Sequence, residues 1–262
     1  MQNFRFKSPT DFLFGKDTEL SVGSEMIKYG KKVMFHYGGG HIKKDGLYDR
    51  IINSMEQNGI QYIELGGVKA NPDVELVRKG IELCRKEEVD FILAAGGGSV
   101  IDSAKAIAMG VFYDGDVWDF FSGGAEVCKA LPIGVVLTIP ATGSEASDTT
   151  VVTNSAEGHL KRAVSSDLLK PVFSVMNPEL TYSLPAYQTA AGGVDIMSHV
   201  LERYFTLEPD CGFTDRLCEA TLRTVIRCLP KVLKCPEDYA VRAEIMWAGT
   251  IAHNGILGVG RS

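Results

Sequence analysis

Asp90-Phe91-Ile92-Leu93-Ala94-Ala95-Gly96-Gly97-Gly98-Ser99-Val100-Ile101-Asp102-Ser103-Ala104-Lys105 decides the fold. A nearly continuous apolar run enters a turn of three glycines and a serine, and a helix-like stretch follows from Val100 to Met109. A strand buried on both faces of a parallel sheet reads this way. The glycines let backbone N–H groups approach a phosphate, and the dipole of the following helix adds to the attraction. Gly96 and Gly98 fit the first half of the dinucleotide fingerprint, but Ile101 occupies its third glycine position. A plain strand-to-helix connection is the competing account.

Outward from this segment the same alternation repeats. Lys32 to Tyr37 reads as a strand ending in the turn Gly38-Gly39-Gly40, with a helix from Leu47 to Asn58. Ile60 to Leu65 alternates as a second strand, and Pro72 opens a helix from Asp73 to Lys86. Ile133 to Ile139 runs into Pro140-Ala141-Thr142-Gly143-Ser144, and Phe4-Arg5-Phe6 with Phe12-Leu13-Phe14-Gly15 looks like a further strand or hairpin arm. Strands alternating with amphipathic stretches imply βα units feeding one parallel sheet. After Pro185 helical spacing takes over through 186–204, 212–234 and 239–256. The expected architecture is α/β: an N-terminal Rossmann-like parallel-sheet domain, 1–183, followed by an incomplete all-helical metal-binding domain, 184–262.

Composition narrows the function. The 262 residues are 45% hydrophobic, enough for a substantial core, and the net charge of −6 with scattered Lys and Arg supplies no footprint for nucleic acid or an anionic membrane. No apolar run approaches the roughly 18 residues of a spanning helix and no signal peptide is visible, so a soluble cytoplasmic protein is expected. The six cysteines lack CxxC spacing and read as reduced thiols.

Two constellations carry chemistry. Thr138, Thr142 and Ser144 place hydroxyls at a strand end, where open sheets bind ligands. With the turn at Gly97 on another strand, they suggest one shared nucleotide site. In Gly192-Gly193-Val194-Asp195-Ile196-Met197-Ser198-His199, a carboxylate and an imidazole stand at i and i+4 on one helix face. That spacing suits one divalent ion as well as a simple surface hydrogen bond. His253 lies on an apolar helix and reads as a satisfied core histidine rather than a third ligand.

Together these segments resemble the iron-containing, or group III, alcohol dehydrogenase family, particularly its butanol dehydrogenase branch. The matching stretches are Phe12 to Gly15, Gly96 to Lys105, Pro140 to Glu145, Asn177-Pro178, and Gly193-Val194-Asp195 with His199. The resemblance implies a metal-dependent enzyme moving hydride between NAD(P)(H) and a short primary alcohol or aldehyde, with a homodimer as a candidate assembly. Carried over, Gly38, Gly39, Gly97, Gly98 and Ser99 bind the dinucleotide, the last three at its pyrophosphate, and Thr138 and Thr142 face the adenosine half. Asp102, Ser144 and Lys161 stand at the nicotinamide end, Lys161 on its ribose. Asp195 and His199 are two of four ligands to Fe2+, or to Zn2+. Tyr37-Gly38-Gly39-Gly40-His41 lacks the acid expected beside an NAD ribose, and Lys43 and Lys44 follow, which favours NADP over NAD. Phe120, Tyr182 and Leu184 are offered as substrate walls. The family's two further histidines come from beyond a segment like Asn254 to Gly258, so the expectation for a chain ending at Ser262 is an incomplete metal set and partly exposed Leu, Ile and Trp247 faces. The rival readings are a non-catalytic nucleotide-binding module and a polyol dehydrogenase or dehydroquinate synthase relative on the same fold.

Overall fold

The computed structural model describes residues 1–261. In chain order the strands are β1 (Asp11–Phe14), β2 (Lys32–Tyr37), β3 (Gln61–Leu65), β4 (Phe91–Gly96), β5 (Ile133–Leu137), β6 (Thr149–Asn154), β7 (Leu160–Ser165) and β8 (Phe173–Met176). The helices are α1 (Val22–Met26), α2 (His41–Lys44), α3 (Leu47–Gln57), α4 (Val74–Lys86), α5 (Gly98–Gly110), α6 (Trp118–Ser122), α7 (Ala186–Tyr204), α8 (Gly212–Lys234) and α9 (Tyr239–His253).

Six strands form one parallel sheet in the order β1-β8-β5-β4-β2-β3. Every residue of β4 is buried, which is why its sequence is apolar without alternation. Helix α4 begins where the Asp73 carboxylate caps Glu75 N at 2.9 Å and ends on Arg85 and Lys86, each charge favourable to the helix dipole. Two apolar clusters, one including Ile92, Ala94 and Ile107 and one including Phe35, Phe91 and Phe173, sandwich the sheet.

The chain leaves β2 for β3 on one side and returns through β4 to the other, so strand order reverses between β2 and β4. Ligand crevices in open α/β sheets lie at this point, beyond the carboxyl ends of the strands. The turns Gly38–Gly40 and Gly97–Ser99 flank it here.

The opening segment differs from expectation. Asp11–Phe14 is an edge strand parallel to β8, but Phe4-Arg5-Phe6 has no regular structure, having no neighbouring strand to pair with. The antiparallel β6–β7 hairpin and β8 were not foreseen. The alternating, half-exposed residues of β6 and the largely exposed polar face of β7 give weak strand signals, and β8 is only four residues long.

Helices α7, α8 and α9 bury a third cluster that includes Ile196, Val200, Val225 and Ile245. Helix α9 ties them to the sheet layer. Trp247 meets Phe12 and Phe14 edge-on at 5.8 and 6.0 Å, and Thr250 Oγ1 donates to the buried Glu145 Oε1 at 2.7 Å. Trp247, Ile226 and Leu233 are exposed, in keeping with the Leu, Ile and Trp247 faces expected to be partly open, and Phe205 and Phe213, outside that expectation, are exposed as well. Among the described residues the cysteines are free thiols, and no helix is long and apolar enough to cross a membrane.

Candidate functional site

Three turns at the carboxyl edge of the sheet, after β2, β4 and β5, enclose a cavity of about 600 Å³ lined by Gly38, Gly39, Gly97, Gly98, Ser99, Thr138 and Thr142 among others. Bare backbone there is a packing requirement as well as an opportunity. A Cβ at Gly98 would overlap Thr142 Oγ1, and one at Gly97 would come within 2.9 Å of Ile139 Cβ. At Gly39 a Cβ would meet no protein atom within 4 Å, so that glycine keeps space open for something else. Helix α5 begins at Gly98 with its free N–H groups at this turn. Among the described residues no Asp or Glu lines the cavity. The arrangement fits an anionic, dinucleotide-shaped ligand.

A second cavity, about 300 Å³, shares Gly98, Ser99 and Thr142 with the first. Asp102, Ser144, Lys161, Asp195, His199 and His253 all line it. The structure therefore brings together at one end of the cleft Asp102, Ser144 and Lys161, expected at the nicotinamide end, with Asp195 and His199, expected on the metal. Ser144 Oγ donates to Asp102 Oδ1 at 2.6 Å, and Asp102 Oδ2 accepts from Val151 N at 3.2 Å. Burial pushes the Asp102 carboxyl above its usual range, opposed by Lys105, these hydrogen bonds and Lys161. Lys161 Nζ, carried on the β6–β7 hairpin, donates to Asn71 Oδ1 at 2.8 Å, and this solvent-exposed side chain also lines the cavity.

On α7, His199 Nε2 lies 3.7 Å from Asp195 Oδ2. Two ligands of one tetrahedral ion bound at about 2.1 Å lie roughly 3.4 Å apart. The pair thus fits two positions of a divalent site with little adjustment. Among the described residues no group of three or more His, Cys, Asp or Glu side chains is disposed to hold a metal ion.

His253 is not the satisfied core histidine that its apolar helix suggested. Its ring stands edge-on to His199 with centroids 4.5 Å apart, and its Nδ1 is buried without a hydrogen-bond partner. Burial, with Arg203 and His199 nearby, lowers its pKa to about 3. The apolar period of α9 carried no sign that His253 faces the cleft.

Residues 9–178 match the family model for iron-containing alcohol dehydrogenase, and residues 189–260 match that for the C-terminal region of the Fe-containing alcohol dehydrogenase family. The chain belongs to the iron-containing alcohol dehydrogenase family. Among the iron-containing alcohol dehydrogenases it is 47% identical over 260 residues to the probable NADH-dependent butanol dehydrogenase 2 of Bacillus subtilis, covering 99% of this chain and 66% of that protein. It is 41% identical to the NADPH-dependent aldehyde reductase of Escherichia coli over 263 residues, covering 99% and 67%. The structure of NADH-dependent butanol dehydrogenase A from Thermotoga maritima superposes with a TM-score of 0.98 at 43% identity, covering 100% of this chain and 66% of that one. The chain spans about two thirds of the length of these relatives.

Within this iron-containing alcohol dehydrogenase framework four residues stand elsewhere than the sequence suggests. Phe120 is buried against Tyr113, at 4.7 Å, in the core beneath the sheet and walls neither cavity. Leu184 lines the glycine-turn cavity instead of the metal end, and Tyr182 lines neither. Lys43 turns from the cleft onto the rings of Tyr37 and Tyr48, its Nζ 3.5 Å from the Glu64 carboxylate. The Lys69 ammonium and the His41 imidazole stand at the cavity wall.

Lys105, buried in α5, has no role assigned by the motif that contains it; the one local signal for it is a lysine flanked by Ala104 and Ala106 on the apolar second half of the helix, which implies a buried partner for the ammonium.

Proposed function

We propose that this chain carries the dinucleotide cleft and part of the metal site of an NAD(P)-dependent alcohol dehydrogenase, acting on short primary alcohols or the corresponding aldehydes. The observation that carries the reading is the continuity of the two cavities: the glycine turns and the Asp195–His199 pair share one cleft through Gly98, Ser99 and Thr142. A small binding module needs only the first cavity. The matches to butanol dehydrogenases and an aldehyde reductase support the alcohol branch over a dehydroquinate synthase relative.

The residues divide the work by position. Backbone N–H groups of Gly97, Gly98 and Ser99, at the start of α5, meet the pyrophosphate. Gly38 and Gly39 admit the adenosine end, with Thr138 and Thr142 along its other side. Lys161, tethered by Asn71, supplies a positive charge toward the nicotinamide ribose. Ser144 and Asp102, locked to each other, make a rigid polar wall against the nicotinamide. Asp195 and His199 hold Fe2+, or Zn2+, as two of its ligands. When bound, the ion supplies Lewis acidity at the substrate oxygen and the dinucleotide takes or gives the hydride.

The glycine-turn cavity, with no carboxylate among its described lining residues, leaves room for a 2′-phosphate, so NADP(H) is accepted alongside NAD(H). The open edge of β1, with Phe14 exposed, is the surface on which a homodimer would pair. The test of the reaction is NADPH oxidation at the expense of butanal with ferrous ion added. The reading predicts turnover that requires both Asp195 and His199. Turnover indifferent to Asp195→Ala, or none under any metal loading, counts against it.

A further inference from the structure

We infer that Lys105 is a positioning residue for the nicotinamide end of the cleft: its ammonium fixes the direction of the Ser144–Asp102 hydrogen bond and makes that wall acceptor-only. The inference rests on the reading of the smaller cavity as the nicotinamide pocket.

Lys105 is completely buried in the middle of α5. Its Nζ lies 2.7 Å from Ser144 O, 2.9 Å from Ser147 O and 3.0 Å from Thr149 O, with Ser144 Oγ at 3.0 Å and Ser147 Oγ at 3.3 Å. An ammonium has three donors and no lone pair, so each of these five oxygens faces it as an acceptor. One cation thereby closes the turn that connects β5 to β6.

The consequence for Ser144 is directional. Its hydroxyl has one proton, and the ammonium cannot accept it. The proton goes to Asp102 Oδ1 at 2.6 Å, and Asp102 Oδ2 already accepts from Val151 N. What Ser144 and Asp102 present to the cavity is therefore lone pairs held in place. A group bearing N–H donors is matched to such a wall, and an isostere without them is rejected because the buried acceptors are left unpaired. The amide of a nicotinamide has the donors; the methyl ketone of 3-acetylpyridine does not.

The experiment measures the affinities of the chain for NADH, reduced 3-acetylpyridine adenine dinucleotide and ADP by calorimetry, in the unmodified protein and in Lys105→Met and Ser144→Ala. In the unmodified chain NADH binds about tenfold tighter than the acetylpyridine analogue, the weight of one well-made hydrogen bond. In Lys105→Met the Ser144 hydroxyl is free to rotate and donate, and the preference falls to roughly threefold or less while ADP, which reaches only the glycine turns, binds as before. Ser144→Ala removes one acceptor and leaves the three carbonyls around Lys105 in place. It lowers the same preference, and decides the matter should Lys105→Met fail to fold. A preference unchanged in Ser144→Ala, or NADH and ADP affinities that fall together in a folded Lys105→Met, would overturn the inference. An unmodified chain that binds neither NADH nor ADP would instead refute the reading of the cleft.

Discussion

His253 stands edge-on to His199, ring centroids 4.5 Å apart, with its Nδ1 buried and unpaired. An orphaned buried nitrogen costs about 1 to 3 kcal/mol relative to a paired one, whereas an apolar group of similar size at the same place does not. His253→Leu is therefore expected to raise unfolding stability by about 1 kcal/mol, the smaller figure allowing for imperfect repacking. Urea denaturation reads this directly. A destabilised variant would show that His253 has a partner in solution.

The Thr250–Glu145 contact gives the opposite sign. Both side chains are buried, and the Thr250 hydroxyl donates to Glu145 Oε1. Thr250→Val keeps the shape and removes the donor, so stability should fall by about 2 kcal/mol. Glu145→Gln keeps an acceptor oxygen there and should lose less. Equal losses in the two variants, measured by chemical unfolding, would argue that packing rather than the hydrogen bond is the cause.

His36 sets an acid limit. It is fully buried, with its Nδ1 2.7 Å from the Leu65 carbonyl and its Nε2 2.9 Å from Ser103 Oγ. The carbonyl can only accept, so the proton sits on Nδ1 and Ser103 donates to Nε2. Burial lowers the pKa to about 4, below the ordinary 6.5. Between those values the unfolded chain holds more protons than the folded one, so stability falls as pH drops from 6.5 toward 4. The loss attributable to this residue is about 3 kcal/mol. Comparing the pH dependence of unfolding with that of His36→Gln, which cannot titrate, isolates it; parallel profiles would contradict the assignment.

Two glycines separate folding from binding. Gly98→Ala must push Thr142 aside and should lower both stability and dinucleotide affinity. Gly39→Ala meets open space inside the protein, so its melting temperature should stay close to the parent value while NADH affinity drops by about tenfold or more, the methyl displacing the ligand. Calorimetry and thermal melts on the same two samples suffice. Gly39→Ala with undiminished NADH affinity would remove that turn from the site.

Much of this was written in local sequence. The uninterrupted apolar run at Phe91 to Ala95 reads as a strand covered on both sides, and of the two accounts open for the glycines after it, a plain connection or a ligand turn, the structure places them along a crevice at the start of helix α5. Spacing alone placed Asp195 and His199 on one face of α7, and the fold turned that face to the cleft. What stayed hidden depends on contacts between distant segments. Lys43 could be counted as a free cation only until β3 placed Glu64 beside it, and the five acceptors around Lys105 come from residues at least 39 positions away. Phe120 illustrates the same limit: an aromatic near a glycine-rich segment is a plausible pocket wall until the core claims it.

In the proposed function a nicotinamide ring bound in this chain lies beside a divalent ion held by Asp195 and His199. Paramagnetic broadening of the nicotinamide C4 proton of bound NADP by added Mn2+ measures that proximity. Strong broadening is expected, and its loss in the Asp195→Ala, His199→Ala double variant while NADP remains bound. Broadening that persists in the double variant, or its absence in the unmodified chain with both nucleotide and metal bound, would contradict it.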